Sequence, residues 1–286
     1  MGFSEAITFG FIEAAAAEPF LGGAAPVALA NPLSEKFAVM RPSLLPGLVD
    51  ALSHNLRHGR RDVRLFEIGT RFSPAGESRG IGLAWTGLAT PDHWSGERRD
   101  VDFSDLKGVV EQLAAASLVV PTFTEATATH LVPGRAAHIV VNGRAAGTFG
   151  QLDSAVAARR DLPSGDAAYV AEIDLDALTA ESPTETLRAT ALPKYPAVVR
   201  DVSILVDDAL SAETVRGTIR SAAPVTLIQV REFDRYQGKG IPDGKVSLSF
   251  RLTFESAART LTDEEVQVGM QRIIDALIED LNAVQR

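Results

Sequence analysis

Residues 245–255 read KVSLSFRLTFE, and the strict alternation in this stretch limits what the chain can fold into more than any other feature. Val246, Leu248, Phe250, Leu252 and Phe254 fall on one side, and Ser247, Ser249, Arg251 and Thr253 on the other. A period of two is that of a strand with one buried face; a helix repeats every 3.6 residues. The apolar row therefore needs helices over it, and the polar row becomes an open sheet face.

The same alternation decides how the preceding loop reads. Gly238, Lys239, Gly240, Gly244 and Lys245 crowd together as they would in a phosphate cradle. A P-loop needs G-x-x-x-x-G-K-[ST] leading into a helix. Here the glycine spacing is wrong, residue 246 is Val, and a strand follows. Pro242-Asp243-Gly244 is a turn signature, so the segment is expected to be a hairpin connection.

The elements around it complete a pattern. Strands are expected at 200–207, 225–236 and 245–255, with a possible last strand in the terminal AVQR. Ser211 opens a short helix, with Leu210 and Val215 placed as a hydrophobic staple. A second helix spans 261–281, with Thr262 and Glu265 as a capping box and a stripe of Val266, Met270, Ile273, Ile274, Leu277 and Leu281. The order is β-α-β-β-α-β, a ferredoxin-like unit. Ser203 lies opposite Val202 and Ile204, so it joins the polar face, and Tyr236 offers a stacking plane beside it. From pattern alone, an ordinary solvated sheet face is the simpler reading.

Upstream the chain mixes strands and helices. Strands are expected at 6–12, 62–72, 80–89 and 169–175, helices at 43–59 and 103–116, and a hairpin at 138–150 turning on Asn142-Gly143. Ser104 or Asp105 is expected near the N-cap of the second helix, and Gly59 stops the first. This is an α+β domain with a mainly antiparallel sheet. A polar stretch with Pro183, Pro193 and Pro196 separates it from the ferredoxin-like unit.

Bulk properties narrow the function. The chain has 286 residues, 45 % hydrophobic and 23 % charged, with no cysteine. Disulfides, thiolate metal sites and cysteine nucleophiles are excluded together, which fits a reducing cytosol and a cytoplasmic protein. No apolar run approaches the ~20 residues of a membrane span. The formal net charge is −9, so a nucleic-acid site must be local. Residues 190–286 carry only −2 of it.

Other constellations read blandly. His54 and His58 have the spacing of two metal ligands, but no third ligand has a motif-like position, and a solvated helix face is preferred. Arg57, Arg60, Arg61 and Arg64 form a basic turn that suits either RNA, a partner subunit or solvent. Trp85 and Trp94 are expected to pack in a core or interface. No G-x-S-x-G is present, and no catalytic or metal-ligating residue is assigned.

YPAVVRDVSILVDD, followed by FDRYQGKGIPDGKVSLSFRLTFESAARTLTDEEV, resembles the ferredoxin-like anticodon-binding domain of the phenylalanyl-tRNA synthetase beta subunit. NPLSEKFAVMRPSLLPGLVDALSHNLRHGRRDVRLFEIGTRF, VDFSDLKGVVEQLA and the PGRAA segment resemble the same subunit's class II synthetase-like domain. The resemblance implies a non-catalytic domain at 1–180, a linker at 181–192 and an anticodon-binding domain at 193–286. It implies tRNA(Phe) and a catalytic alpha subunit as partners, the latter in a heterotetramer. No membrane is implied. ATP and Mg belong to the holoenzyme, with no cofactor in this chain. Tyr236, Ser247, Ser203 and Arg286 would contact tRNA, joined by Lys239 in the loop and by Arg200. Glu67 stands on a strand resembling class II motif 2 but, without a motif 3, reads as structural.

The match has departures. Arg235 stands where the family has an apolar residue, and His130-Leu131-Val132-Pro133 departs from its His-Pro-Gly run. The family's subunit is far longer, so the chain is expected to be a truncated piece. A free-standing ATP-using class II-like ligase and a small-ligand regulatory module are the alternatives.

Overall fold

The computed structural model describes residues 1–96, 98–163, 165–180 and 192–286. Apart from Leu192, the expected linker lies outside these residues. The chain divides into two compact units, Met1–Thr186 and Leu187–Arg286.

The first unit is built on a seven-stranded sheet in the order β1-β4-β5-β9-β8-β7-β6. Its strands are β1 (Ser4–Glu5), β4 (Val63–Ser73), β5 (Gly76–Thr86), β6 (Thr122–Glu125), β7 (Leu131–Val141), β8 (Arg144–Leu152) and β9 (Ala168–Asp174). Only β1 runs parallel to its neighbour. Two short strands, β2 (Phe11–Ile12) and β3 (Val39–Met40), pair apart from it. The helices are α1 (Ala14–Ala17), α2 (Leu45–Arg57), α3 (Phe103–Ala116), α4 (Ser154–Arg159) and α5 (Leu175–Ala180).

Both faces of the sheet are covered. Leu45, Leu48, Val49, Leu52 and Leu56 of α2 pack over Ala84 and Val170. Leu106, Val109 and Val110 of α3 pack with Ile139, Phe149 and Ile173 on the other side. Asp102, rather than Ser104 or Asp105, is the N-cap of α3; Asp105 stands three residues on and completes a capping box with it. The Asn142-Gly143 turn holds φ of 49° and 78°, as a two-residue hairpin requires. Trp85 is buried, whereas Trp94 is 92 % exposed and belongs to no core.

The expected strand over residues 6–12 is broken, and the cause is a buried ion pair. Arg41 and Glu67 meet at 2.6 Å, both almost fully buried. Thr8 joins them, its Oγ1 donating to Glu67 Oε2 at 2.7 Å and its backbone N–H to Oε1 at 3.3 Å. That N–H serves a carboxylate instead of a sheet ladder, so the segment leaves β4 after Ala6 donates to the Phe66 carbonyl. Glu67 is thus structural, with both oxygens taken. Beside it Glu172 accepts from Ser43 Oγ at 2.9 Å and from the Leu44 N–H at 2.6 Å, holding the start of α2. Burial pushes the Glu172 carboxyl up, against the opposing pull of Arg71.

The second unit has a four-stranded sheet in the order β11-β12-β10-β13. Its elements are β10 (Val198–Asp207), α6 (Ala212–Ala222), β11 (Leu227–Tyr236), β12 (Lys245–Phe254), α7 (Asp263–Leu281) and β13 (Val284–Gln285). This is the expected βαββαβ order, so the fold is α+β throughout. The five apolar residues of β12 are buried against Val215 and Ile219 of α6 and Ile273 and Leu277 of α7. Full burial of each contributes about 1.5–3 kcal/mol. Thr262 and Glu265 form the capping box of α7. The glycine-rich segment is the β11–β12 connection, turned where the Lys245 N–H donates to the Pro242 carbonyl and Gly244 takes a φ of 72°.

Two expected outcomes follow from these contacts. Gly47 lies inside α2, where Ala is better by about 1 kcal/mol in a helix free of neighbours. A Cβ at Gly47 would lie 2.6 Å from Thr8 Cβ, so Gly47→Ala will lower the unfolding midpoint; a raised midpoint would refute the crowding. Glu265 is held down to about 2 from an ordinary 4.5, first by Arg259 and then by the Thr262 N–H. A depressed acid stabilises above its unfolded value and loses that contribution as pH falls through the folded one. Acid titration should therefore show stability lost between pH 4.5 and about 2 that is missing in Glu265→Gln.

Candidate nucleic-acid interface

The open face of the second sheet follows from the pairing of its strands. Ser203 lies opposite Ser249, Leu205 opposite Ser247, and Asp201 opposite Arg251 between β10 and β12. On the other side of β12, Tyr236 lies opposite Ser247, Asp234 opposite Ser249 and Arg231 opposite Arg251. Paired residues share a face, so all of these point away from α6 and α7. Arg286 donates its backbone N–H to the Ser203 carbonyl at 2.9 Å, which brings the chain end beside β10, at the opposite edge of the sheet from Tyr236.

The face is less open than its sequence pattern suggests. Ser247 is only 3 % exposed, and Ser249 is buried too. They sit on a central strand between taller neighbours: Leu205 and Tyr236 flank Ser247. Ser203 Oγ and Ser249 Oγ bond each other at 2.8 Å. The face is also less basic than expected. Arg251 gives two hydrogen bonds to Asp201, at 2.9 and 2.8 Å, and this pairing holds the Asp201 carboxyl below its usual range.

Tyr236 remains a half-exposed aromatic at the end of β11, its hydroxyl donating to the Lys239 carbonyl at 3.3 Å. Lys239 is exposed in the connecting loop. Arg200 is a correction. It shares the parity of Val202, Ile204 and Val206, so it points to the helix side and meets Asp263 at the start of α7 at 2.7 Å. It does not join the other five residues.

Sequence reasoning missed one aromatic. The β11–β12 register slips between Glu232 and Asp234, leaving Phe233 as the extra residue of a β-bulge. The Arg251 guanidinium lies 5.2 Å from the Phe233 ring centre, which puts that ring on the open face. Its parity was the signal, since Phe233 stands two residues after Arg231, which lies opposite Arg251, and the slip itself re-aims Tyr236. Val230 and Tyr236 have the same parity, yet Val230 packs toward the core while Tyr236 pairs with Ser247. An odd slip between them is required.

The other candidates are accounted for locally. The rings of His54 and His58 lie 4.1 Å apart, and His58 Nδ1 is 2.7 Å from the His54 carbonyl. Arg61 pairs with Asp166 at 2.7 Å, Arg57 with Asp161 at 3.7 Å, and Arg64 lies over Trp85.

A ferredoxin-like unit with exposed aromatic side chains on an open sheet face has the layout of sheet modules that stack nucleobases. Residues 193–286 match the ferredoxin-fold anticodon binding domain, and residues 1–175 match the phenylalanyl tRNA synthetase beta chain CLM domain. Three relatives, each named phenylalanine–tRNA ligase beta subunit, extend the match across both units. The protein of Aromatoleum aromaticum is 37 % identical over 95 % of this chain and 35 % of its own length. That of Bacillus subtilis is 34 % identical over 100 % of this chain and 36 % of its own, and that of Symbiobacterium thermophilum 40 % identical over 88 % and 29 %. The chain belongs to the phenylalanyl-tRNA synthetase beta chain family. It spans about a third of the length of these relatives.

Proposed function

We propose that the chain is the C-terminal part of a phenylalanine-tRNA ligase beta subunit, with residues 1–180 as a non-catalytic synthetase-like domain and 193–286 as the domain that binds the anticodon region of tRNA(Phe). The observation that carries this is the open sheet face of the ferredoxin-like unit, with Tyr236 on edge strand β11, Ser203 on β10 and the terminal Arg286 beside it at the opposite edge. Tyr236 offers a stacking plane, Ser203 a half-buried hydroxyl, and Lys239 and Arg286 charge for phosphates. Ser247 lies opposite Tyr236 as the small residue of that cross-strand pair.

The first unit suits a supporting role. Ile7, Phe9 and Phe11 are exposed around a cavity of about 490 Å³ that Phe37 and Gly47 also line. A cluster of exposed apolar residues marks a surface for a protein partner, here the catalytic alpha subunit. ATP and Mg²⁺ are then requirements of the whole ligase. In this chain the α2 side of β4 and β5 does not fit a nucleotide: Leu44 and Leu48 lie against Gly82, Arg41 lies against Gly69, and Glu67 is consumed by Arg41 and Thr8. No step of ATP chemistry is assigned to it.

The chain should bind tRNA(Phe), and Tyr236→Ala should weaken that binding roughly 5- to 150-fold, the range of about 1–3 kcal/mol for a lost base stack. Filter binding at fixed salt measures it, and equal affinity for the two proteins would defeat the assignment of the face. Co-expression with the alpha subunit checks the other surface. The wild-type chain should co-purify with it, and Phe9→Asp should not, while still binding tRNA. Retention of the alpha subunit by Phe9→Asp would place the contact elsewhere.

A further inference from the structure

The open face holds a second aromatic ring, and its setting resembles that of Tyr236. Phe233 is 48 % exposed and Tyr236 40 % exposed, both on β11. An exposed phenylalanine gains nothing from burial, yet the core of the same unit lies one strand-face away. Phe233 stands two residues after Arg231 and shares its open face, and the bulge between Glu232 and Asp234 brings Tyr236, which has the parity of the core-side Val230, onto that same face. Bulges recur where a strand re-aims a side chain toward a site.

The ring is also held in place. Arg251 is fixed to Asp201 by two hydrogen bonds, and its guanidinium lies over the Phe233 ring. Cation and ring attract by the quadrupole of the π-face, so Arg251 holds the Phe233 ring while the residue stays half-exposed. Phe233 and Tyr236 are three residues apart, about 10 Å at ~3.3 Å per residue, a span that unstacked neighbouring bases can bridge. Arg231 and Lys239 stand exposed at the two ends of this span, where a phosphate backbone would run.

We propose that Phe233 is a second base-stacking platform, taking one nucleobase of the single-stranded RNA segment that Tyr236 also contacts, with Arg251 and Asp201 as its positioning pair. The inference rests on the reading of this face as the anticodon-binding surface, and it adds a contact to that reading. A protein partner on the same ring is the competing occupant.

The test uses the 286-residue chain, tRNA(Phe), and a set of the same tRNA in which single anticodon-loop nucleotides are made abasic. Phe233→Leu keeps an apolar side chain and removes the π-face. It should weaken binding of intact tRNA about tenfold or more. One abasic tRNA should weaken the wild type to a similar extent and Phe233→Leu no further, because the base and the ring form a single contact. Phe233→Trp should restore affinity, and its indole fluorescence should be quenched by tRNA. Wild-type affinity in Phe233→Leu, with Tyr236→Ala still impaired, overturns this inference alone. Additive losses on every abasic tRNA overturn it as well, since they leave Phe233 without a base and favour a protein occupant. Failure of the wild-type chain to bind tRNA overturns the reading of the face and this inference together. Should Phe233→Leu not fold, the fluorescence of Phe233→Trp decides: quenching by tRNA supports the stack, and an unchanged signal refutes it.

Discussion

The second unit depends on one row of side chains. Val246, Leu248, Phe250, Leu252 and Phe254 are each almost completely buried on the central strand β12. They give α6 and α7 a common floor, and they fix the register of both neighbouring strands. A slip of one residue would turn the whole row to solvent. The same constraint decides which residues remain for binding, since the functional face is what the buried row leaves on the other side.

The first unit depends on polar contacts of a different kind. The Arg41–Glu67 pair is almost fully buried and is completed by Thr8. Removing one partner of such a pair leaves an uncompensated buried charge, which costs about 3–5 kcal/mol. Replacing the cluster by apolar residues need not cost anything, so its value lies in where it holds the chain. It detaches residues 7–10 from the sheet and brings Ile7 and Phe9 to the surface beside α2.

The two proposed surfaces thus arise from one physical theme. In each unit a buried interaction fixes the backbone, and a local break in regular pairing turns aromatic side chains outward. In the first unit the break is the departure from β4 at Thr8. In the second it is the bulge at Phe233. The first break leaves Phe9 exposed, and the second sets Tyr236 on the same face as Phe233.

Periodicity and capping were enough to read most of the elements from the sequence. The β12 alternation, the Thr262–Glu265 box, the Asn142-Gly143 turn and the α2 stripe are local signals, and local backbone physics acts on them directly. The βαββαβ order and the α+β class follow from their succession. Side-chain accessibility was a different matter. Ser247 was readable as outward-facing, but its burial depends on the height of Leu205 and Tyr236 on neighbouring strands. Arg200 took its face from the parity of β10, and its partner Asp263 lies 63 residues away. The charge of Arg251 is offset by Asp201, 50 residues away in sequence. The sequence by itself determined which strands and helices form and which face of β12 is buried. Only the tertiary structure decided what that open face presents, because a single extra residue in β11 reverses parity and puts Tyr236 on the face that Arg231 and Phe233 already share, while the Ser247 and Ser249 side chains are buried.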